Sequence, residues 1–218
     1  MSNSEYEFNE KINAILINPY LSLDEFNINC NLLKKYNIKN ISTTLNYLSY
    51  LRNLFDNNIN INTFISYPLA DSPHIITDQM IDLAIEEGAS GIEYLPQFFY
   101  LENNEDEKFA TDIEKIYKKK LPLTLIFNKN RMKKKTFTKA IQISLELGIK
   151  IFQFGDGFGS TLNISDLKEI KALLNKKSLI KISGNIRNIK TIKELLNNGA
   201  DNIGTSYFHE IFQELKSI

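Results

Sequence analysis

The chain has 218 residues, of which 43% are hydrophobic and 24% are charged, a composition typical of a globular domain rather than a disordered segment. Lysine plus arginine and aspartate plus glutamate both number 26, and the resulting net charge of zero argues against a general affinity for nucleic acid or anionic membranes. The single cysteine, Cys30, excludes an intramolecular disulfide and is predicted to be a small buried residue on a helix.

Apolar runs in this chain are all short of the length that crosses a bilayer, and no basic stretch followed by an apolar run marks a leader. We therefore expect a cytoplasmic protein that contacts neither membrane nor nucleic acid. His74 and His209 stand alone without carboxylates at ligand spacing, so no metal site is expected.

Short apolar runs alternate with helical patterns along the whole chain. Residues 1–10 are polar and predict an N-terminal arm, and the folded domain is assigned to residues 11–218. The predicted strands are 12–17, 39–43, 62–67, one within 86–95, 123–127, 150–154, 179–183 and one within 197–206.

The predicted helices follow each strand in turn. Ser22 and Glu25 form a capping-box pattern at the first helix, and Asp78 is predicted to cap the third. Three glycines, Gly88, Gly148 and Gly199, each stand between a helix end and an apolar run, as expected of residues that end a helix in the left-handed conformation.

Eight strands in strict alternation with eight helices predict parallel strands joined by helical crossovers. The favoured fold class is α/β, a single-domain (βα)8 TIM barrel. An open doubly wound sheet is the alternative.

Three polar side chains are predicted to point into this barrel. Alternation along the strands turns Glu93, Gln153 and Lys181 inward, and all three are expected to meet at the barrel mouth, where the strands end. Burying a charged lysine within an apolar strand costs free energy unless the lysine is paired or functional. Burial would also lower its pKa, which makes the neutral, nucleophilic amine available. The competing interpretation is a structural Lys181–Glu93 ion pair.

Glycine-rich loops after the last three strands are candidates for phosphate binding. Small residues let backbone N–H groups approach an anion at helix starts, and barrel phosphate sites use the loops after the seventh and eighth strands. The alternative is ordinary turn and cap chemistry. The candidate residues are Gly157, Gly184, Asn185, Gly204, Thr205 and Ser206.

Four segments resemble the deoxyribose-phosphate aldolase family. The segment LIKISGNIRNIKTIKELLNNGADNIGTS (179–206) is similar to its lysine–small–Gly-Gly–Ile-Arg strand, its helix and its Gly-Thr-Ser ending. ISYPLAD (65–71), EEGASGIEY (86–94) and FQFGDGFG (152–159) resemble its Phe-Pro turn, its Gly-Ala-Asp-Glu-Ile-Asp segment and its Lys-Thr-Ser-Thr-Gly-Phe segment.

The resemblance implies a class I aldolase that forms a Schiff base on a lysine and uses neither metal nor cofactor. Lys181 matches the family's second lysine, and Glu93 replaces its aspartate. Gln153 falls where the Schiff-base lysine would stand, and an amide cannot form an imine. Asn185 takes the place of the second glycine of the phosphate loop. The implied partners are a small phosphorylated sugar or aldehyde, and a second copy of the chain in a homodimer.

Three functions are compatible with these residues. The first is reversible retro-aldol cleavage of a deoxysugar phosphate of the 2-deoxyribose 5-phosphate type, with Lys181 as the remaining lysine and Glu93 as acid and base. The second is a catalytically silent or repurposed family member that binds a phosphorylated metabolite. The third is a structural or regulatory protein with an empty mouth.

Overall fold

The computed structural model describes residues 8–158 and 162–217. Eight parallel strands form a closed barrel in chain order, and the last strand pairs with the first. The strands are β1 (Ile12–Leu16), β2 (Asn40–Thr43), β3 (Asn60–Ile65), β4 (Gly91–Tyr94), β5 (Leu123–Phe127), β6 (Ile151–Phe154), β7 (Leu179–Ser183) and β8 (Asn202–Thr205).

Every strand is followed by a helix, and β4 is followed by a short helix and then a longer one. The helices are α1 (Leu23–Lys35), α2 (Leu45–Leu54), α3 (His74–Glu86), α4 (Phe99–Glu102), α5 (Asp106–Tyr117), α6 (Lys134–Glu146), α7 (Ile164–Leu173), α8 (Ile189–Asn197) and α9 (Phe208–Lys216). The predicted (βα)8 TIM barrel is confirmed, and the open sheet is excluded because β1 and β8 are hydrogen-bonded to each other.

The predicted N-terminal arm, residues 1–10, is described only in its last part. Residues 8–10 belong to a short helical segment that runs to residue 11 and leads directly into β1. Residues 1–7 of that arm lie outside the described residues, as does Gly159 of the glycine-rich loop.

The structure confirms one of the two helix-capping predictions and contradicts the other. Ser22 and Glu25 form the complete capping box at α1, because each side chain accepts from the other's backbone N–H. The prediction that Asp78 caps α3 is wrong. This helix starts at His74, directly after Pro73, so Asp78 lies inside its second turn. Proline readily precedes or opens a helix because no intrahelical bond needs its missing N–H.

Strand β3 lies two residues earlier than the predicted range 62–67. Ser66 has a φ of 57°, in the left-handed region, which turns the chain out of the extended conformation directly after Ile65. The apolar pattern alone extends through this turn, so it placed the strand too late.

The three predicted helix-ending glycines all adopt the left-handed conformation. Gly88, Gly148 and Gly199 have φ values of 80°, 84° and 104°. A side chain at these positions would be strained, whereas glycine adopts positive φ freely. The repeated glycine is therefore the residue that turns a helix end towards the next strand.

The apolar core lies between the barrel and its helices. Phe152 and Phe154 of β6 point outward and pack with Phe127 of β5 and Phe137 of α6, at ring centroid separations of 5.8–6.4 Å. Cys30 is buried on α1, as predicted. Since the outward face is apolar, the alternate residues of these strands are left inside the barrel. Within the described residues, no helix is both long and apolar enough to cross a membrane.

Candidate active site

A cavity of about 330 Å³ opens at the carboxyl ends of the strands. All six predicted phosphate-binding residues line it, together with Gln153 at the end of β6. Gly157 follows β6, Gly184 and Asn185 follow β7, and Gly204, Thr205 and Ser206 lie at the end of β8 or directly after it. The closed barrel brings these three strand ends to one mouth.

The loops after β6 and β7 approach each other through glycine. Gly184 has a φ of 103°, and a Cβ placed on it would lie 3.5 Å from the backbone nitrogen of Gly157. Asn185 follows in the left-handed conformation with a φ of 54°, which asparagine tolerates better than most residues. Glycine and asparagine are among the residues that adopt positive φ most readily, so the sequence of this loop fits its backbone.

A threonine hydroxyl ties the loops after β7 and β8 together. Thr205 donates a hydrogen bond to the carbonyl of Ile186 at 2.7 Å and accepts one from the backbone N–H of Tyr207 at 2.9 Å. Arg187 stacks on the ring of Tyr207, 4.4 Å from its centroid, and donates to Oδ1 of Asn185 at 2.7 Å. The cation of Arg187 is thus held at the rim of the mouth.

Gln153 lies on the wall of this cavity. Its side chain is 2% exposed, and its Nε2 donates to the carbonyl of Gly155 at 3.1 Å. Its Oε1, like the hydroxyl of Ser183 on β7, is buried without a hydrogen-bond partner among the described residues. Both residues line the mouth, so a bound polar ligand could satisfy these two groups.

Lys181 and Glu93 form a buried ion pair inside the barrel. Nζ of Lys181 lies 2.7 Å from Oε1 of Glu93 and donates to the hydroxyl of Ser42 at 3.2 Å. Burial lowers the pKa of Lys181, and the neighbouring Glu93 carboxylate opposes that shift. Desolvation therefore makes the charged form of Lys181 less favourable, and the ion pair with Glu93 offsets part of that effect.

Two further polar side chains, from β1 and β3, lie near this ion pair. Oε1 of Glu93 also accepts from the hydroxyl of Ser42, and the amide of Asn62 lies 3.4 Å away. The hydroxyl of Ser42 also lies 2.7 Å from Oδ1 of Asn13. A hydroxyl has one proton, so Ser42 donates either to Oδ1 of Asn13 or to Oε1 of Glu93 at any one time. Side chains from β2, β3 and β7 thus contact one carboxylate oxygen.

The prediction that Glu93, Gln153 and Lys181 all meet at the mouth needs correction. All three are inside the barrel, but only Gln153 lines the mouth cavity. Glu93 and Lys181 instead line a second cavity at the opposite, amino-terminal end. Strand alternation determines that a side chain points inward, whereas the long lysine side chain then bends towards the carboxylate that stabilises its charge.

The ammonium nevertheless lies close beneath the floor of the mouth. A Cβ placed on Gly204 would lie 2.9 Å from Cε of Lys181, and Nζ lies 6.0 Å from the ring centroid of Phe64. Gly204 and Phe64 both line the mouth cavity. The lysine side chain and the mouth cavity therefore share Gly204 and Phe64 as neighbours.

Asp156 is a mouth residue that the sequence interpretation missed. Its carboxylate is 5% exposed and accepts from the side chain of Asn128 at 2.5 Å and from the backbone N–H of Phe158 at 2.9 Å. The hydroxyl of Tyr67 donates to its carbonyl at 2.8 Å, and burial raises the pKa of Tyr67 to about 12. Asp156 lies between two glycines of this loop, Gly155 and Gly157, and that placement was the signal available in the sequence.

Across residues 8–158 and 162–217, no three His, Cys, Asp or Glu side chains are grouped to hold a metal.

Nearly the whole chain aligns with proteins named deoxyribose-phosphate aldolase. It is 28% identical over 204 residues to a deoxyribose-phosphate aldolase of Mycoplasmopsis pulmonis (strain UAB CTIP), covering 92% of this chain and 93% of that protein. The chain is a relative of the deoxyribose-phosphate aldolases. A deoxyribose-phosphate aldolase of Staphylococcus carnosus (strain TM300) is 24% identical over 215 residues, 97% of this chain and 98% of that one. The resemblance carried by the motifs is thereby confirmed, although no family model matches the chain.

Solved aldolase structures share this fold. The aldolase QR15 superimposes with a TM-score of 0.88 at 18% identity over 95% of both chains. The tetrameric deoxyribose-phosphate aldolase of Aeropyrum pernix gives a TM-score of 0.85 at 18% identity, covering all of this chain and 94% of that one. At this identity the likeness supports the barrel fold.

Proposed function

We propose that the protein catalyses reversible retro-aldol cleavage of a deoxysugar phosphate of the 2-deoxyribose 5-phosphate type, with Lys181 as the imine-forming amine. The observation that carries this proposal is the position of the buried Lys181–Glu93 pair beneath a mouth lined by all six phosphate candidates. The relationship to deoxyribose-phosphate aldolases over nearly the whole chain supports the same reaction.

The reaction would begin at the aldehyde carbon of the open-chain sugar. The neutral amine of Lys181 adds to this carbon, and loss of water gives an iminium ion that withdraws electrons from the adjacent bond. The C2–C3 bond then breaks as the C3 hydroxyl loses its proton, which releases glyceraldehyde 3-phosphate and leaves an enamine on the lysine. Protonation of the enamine and hydrolysis release acetaldehyde and restore the amine.

Glu93 is suited to the proton transfers at this amine. Its carboxylate lies within hydrogen-bonding distance of Nζ in the free protein and takes the amine's proton when the neutral form is needed. The phosphate would sit at the ends of β6, β7 and β8, where Gly157, Gly184 and Ser206 line the cavity and could offer backbone N–H groups and a hydroxyl.

The amine has to leave Glu93 to reach a substrate carbon in the mouth. Gly204 provides the opening, because a side chain there would collide with Cε of Lys181 and with the hydroxyl of Ser183. Lysine has a long stem with several rotatable bonds, so rotation of its terminal bonds brings Nζ upward without a backbone change. Gln153 on the neighbouring strand would then flank the bound substrate rather than attack it.

Borohydride trapping tests this proposal. The protein is incubated with acetaldehyde or 2-deoxyribose 5-phosphate, reduced with sodium borohydride, and digested for mass spectrometry. A reduced adduct on Lys181 is expected in the wild type and is absent in the double variant Lys181→Met/Glu93→Gln, which leaves no unpaired buried charge. No adduct on Lys181, combined with thermal stabilisation by the sugar phosphate, would instead identify a silent phosphate-binding relative.

A further inference from the structure

Ser42 of β2 lies between the Lys181–Glu93 ion pair and a second acceptor, the side chain of Asn13 on β1. Its hydroxyl is within hydrogen-bonding distance of Oε1 of Glu93 and lies 2.7 Å from Oδ1 of Asn13. The same hydroxyl accepts from Nζ of Lys181 at 3.2 Å. Ser42 and Glu93 are fully buried, and Asn13 and Lys181 are only 4% and 6% exposed. One buried proton therefore has two acceptors within reach.

In the intact ion pair, Glu93 is the preferred acceptor for Ser42. A charged carboxylate oxygen accepts a stronger hydrogen bond than a neutral amide oxygen does, so the proton of Ser42 should point to Oε1. Oδ1 of Asn13 then loses Ser42, which is its hydrogen-bond donor among the described residues. The ion pair thus keeps a second acceptor unused beside the hydroxyl.

Transfer of a proton within the pair reverses this preference. One proton moves from Nζ of Lys181 to Oε1 of Glu93, which lie 2.7 Å apart, so that ammonium and carboxylate become amine and carboxylic acid. The protonated oxygen of Glu93 is a weaker acceptor and has become a donor. Ser42 can now accept from Glu93 and donate its own proton to Oδ1 of Asn13, which gives all three groups a partner.

We propose that Ser42 is a positioning residue whose hydroxyl changes its acceptor from Glu93 to Asn13 when Lys181 gives up its proton. In the second arrangement Glu93 is a neutral acid, so no buried charge remains when the amine leaves the pair. The change of acceptor follows from the hydrogen bonds of the free protein. Its use when the amine moves to a substrate carbon rests on the proposed aldolase function.

Two other polar groups near Glu93 are less suited to this role. Nδ2 of Asn62 lies 3.4 Å from Oε1, which is long for a hydrogen bond, and an amide nitrogen only donates. Burial, followed by the charges of Asp156 and Glu93, raises the pKa of Tyr67 to about 12, so this phenol keeps its proton at neutral pH. Its hydroxyl donates to the carbonyl of Asp156. Ser42, by contrast, contacts both members of the ion pair.

Lys181→Met reproduces the state in which the amine has left Glu93, and it can be studied without any aldol chemistry. Infrared difference spectra against Lys181→Met/Glu93→Gln assign the carboxylic acid and carboxylate bands of Glu93. The ratio of acid to carboxylate is measured at one pH at which both bands are present. Asn13→Leu then removes the second acceptor, and Ser42→Ala removes the hydroxyl, each alone and both together.

With Ser42 in place, Asn13→Leu should lower the ratio of acid to carboxylate on the order of fivefold, because the acid loses a hydrogen-bonded chain. In the Ser42→Ala background this effect should be lost, since Asn13 acts through the hydroxyl. An equal effect in both backgrounds, or none with Ser42 in place, would overturn the proposal. Asn202→Leu is the matched control. It removes another asparagine of the cavity that Asn13 lines and should leave the ratio unchanged.

Neutron diffraction from crystals of the wild-type protein gives a measurement that needs none of these variants to fold. With the ion pair intact, the deuterium atom on the hydroxyl of Ser42 should point to Oε1 of Glu93. A deuterium atom directed at Oδ1 of Asn13, beside a charged Lys181, would refute the proposal. Neither measurement depends on whether acetaldehyde is trapped on Lys181, so failure of the proposed function and failure of this role of Ser42 remain distinguishable.

Discussion

Nζ of Lys181 lies 2.7 Å from Oε1 of Glu93, and both side chains are buried inside the barrel. The pair joins β7 to β4 across the barrel interior rather than along neighbouring strands. It is both the group that the proposed chemistry needs and a structural element of the barrel, so stability and activity have to be measured separately.

The first prediction concerns the stability of this pair. Lys181→Met should lower the free energy of unfolding by about 3–5 kcal/mol, because it leaves the Glu93 carboxylate buried without its counter-charge. The double variant Lys181→Met/Glu93→Gln should recover most of that loss. Urea denaturation of the wild type, both single variants and the double variant gives the coupling energy. A double variant no more stable than Lys181→Met would contradict the claim that the unpaired Glu93 carboxylate causes the loss of stability.

The second prediction concerns the pH dependence of Lys181. Burial lowers its pKa from the ordinary value of 10.5, so the amine becomes neutral at lower pH than an exposed lysine. Carbamylation of Lys181 by cyanate should reach its plateau at lower pH than labelling of Lys176 in the same sample. If the carbamylation of the two lysines depends on pH in the same way, Glu93 cancels the effect of burial on the pKa of Lys181.

The same shift has a defined sign for stability. Between the lowered folded pKa and 10.5 the unfolded chain binds more protons at this lysine than the folded chain does. The contribution of Lys181 to the free energy of unfolding therefore rises with pH across this window. Urea denaturation at several alkaline pH values gives the free energies of unfolding of the wild type and the double variant. The difference between them should rise with pH.

The third prediction concerns Gln153. Replacing it by lysine places an amine on the wall of the mouth, at the position that the family resemblance assigns to the Schiff base. Gln153→Lys should raise retro-aldol activity at least about tenfold, since loss of a nucleophile costs several orders of magnitude in rate. Gln153→Met is the matched control, with similar length and no amine. An unchanged rate in a folded Gln153→Lys variant that still binds phosphate would count against this account.

The fourth prediction concerns the phosphate loops. Thr205→Val removes the hydroxyl that bonds Ile186 and Tyr207, and should cost about 1–3 kcal/mol of stability because it leaves their backbone groups without this partner. It should also weaken stabilisation by inorganic phosphate or a sugar phosphate. Thr205→Ser keeps the hydroxyl and should resemble the wild type. Melting temperatures with and without ligand separate the two effects.

The phosphate candidates were predictable from the sequence as a set. Glycines and hydroxyl residues mark the ends of β6, β7 and β8 and the loops that follow, and parallel strands in a closed barrel bring these ends together. Asp156 lies in the same loops and was not predicted. Its carboxylate is held by Asn128 from the neighbouring loop, a contact that no local pattern in the sequence indicates.

The sequence by itself determined the barrel, the glycines that end its helices, and the inward direction of Glu93, Gln153 and Lys181. These follow from local rules, because alternation along a strand sets where each Cβ points and positive φ selects glycine. Only the tertiary structure decided that Lys181 turns to Glu93, beneath the mouth and beside a second cavity. The end of a long side chain goes where its charge is stabilised, and that partner is supplied by a strand 88 residues away in the chain.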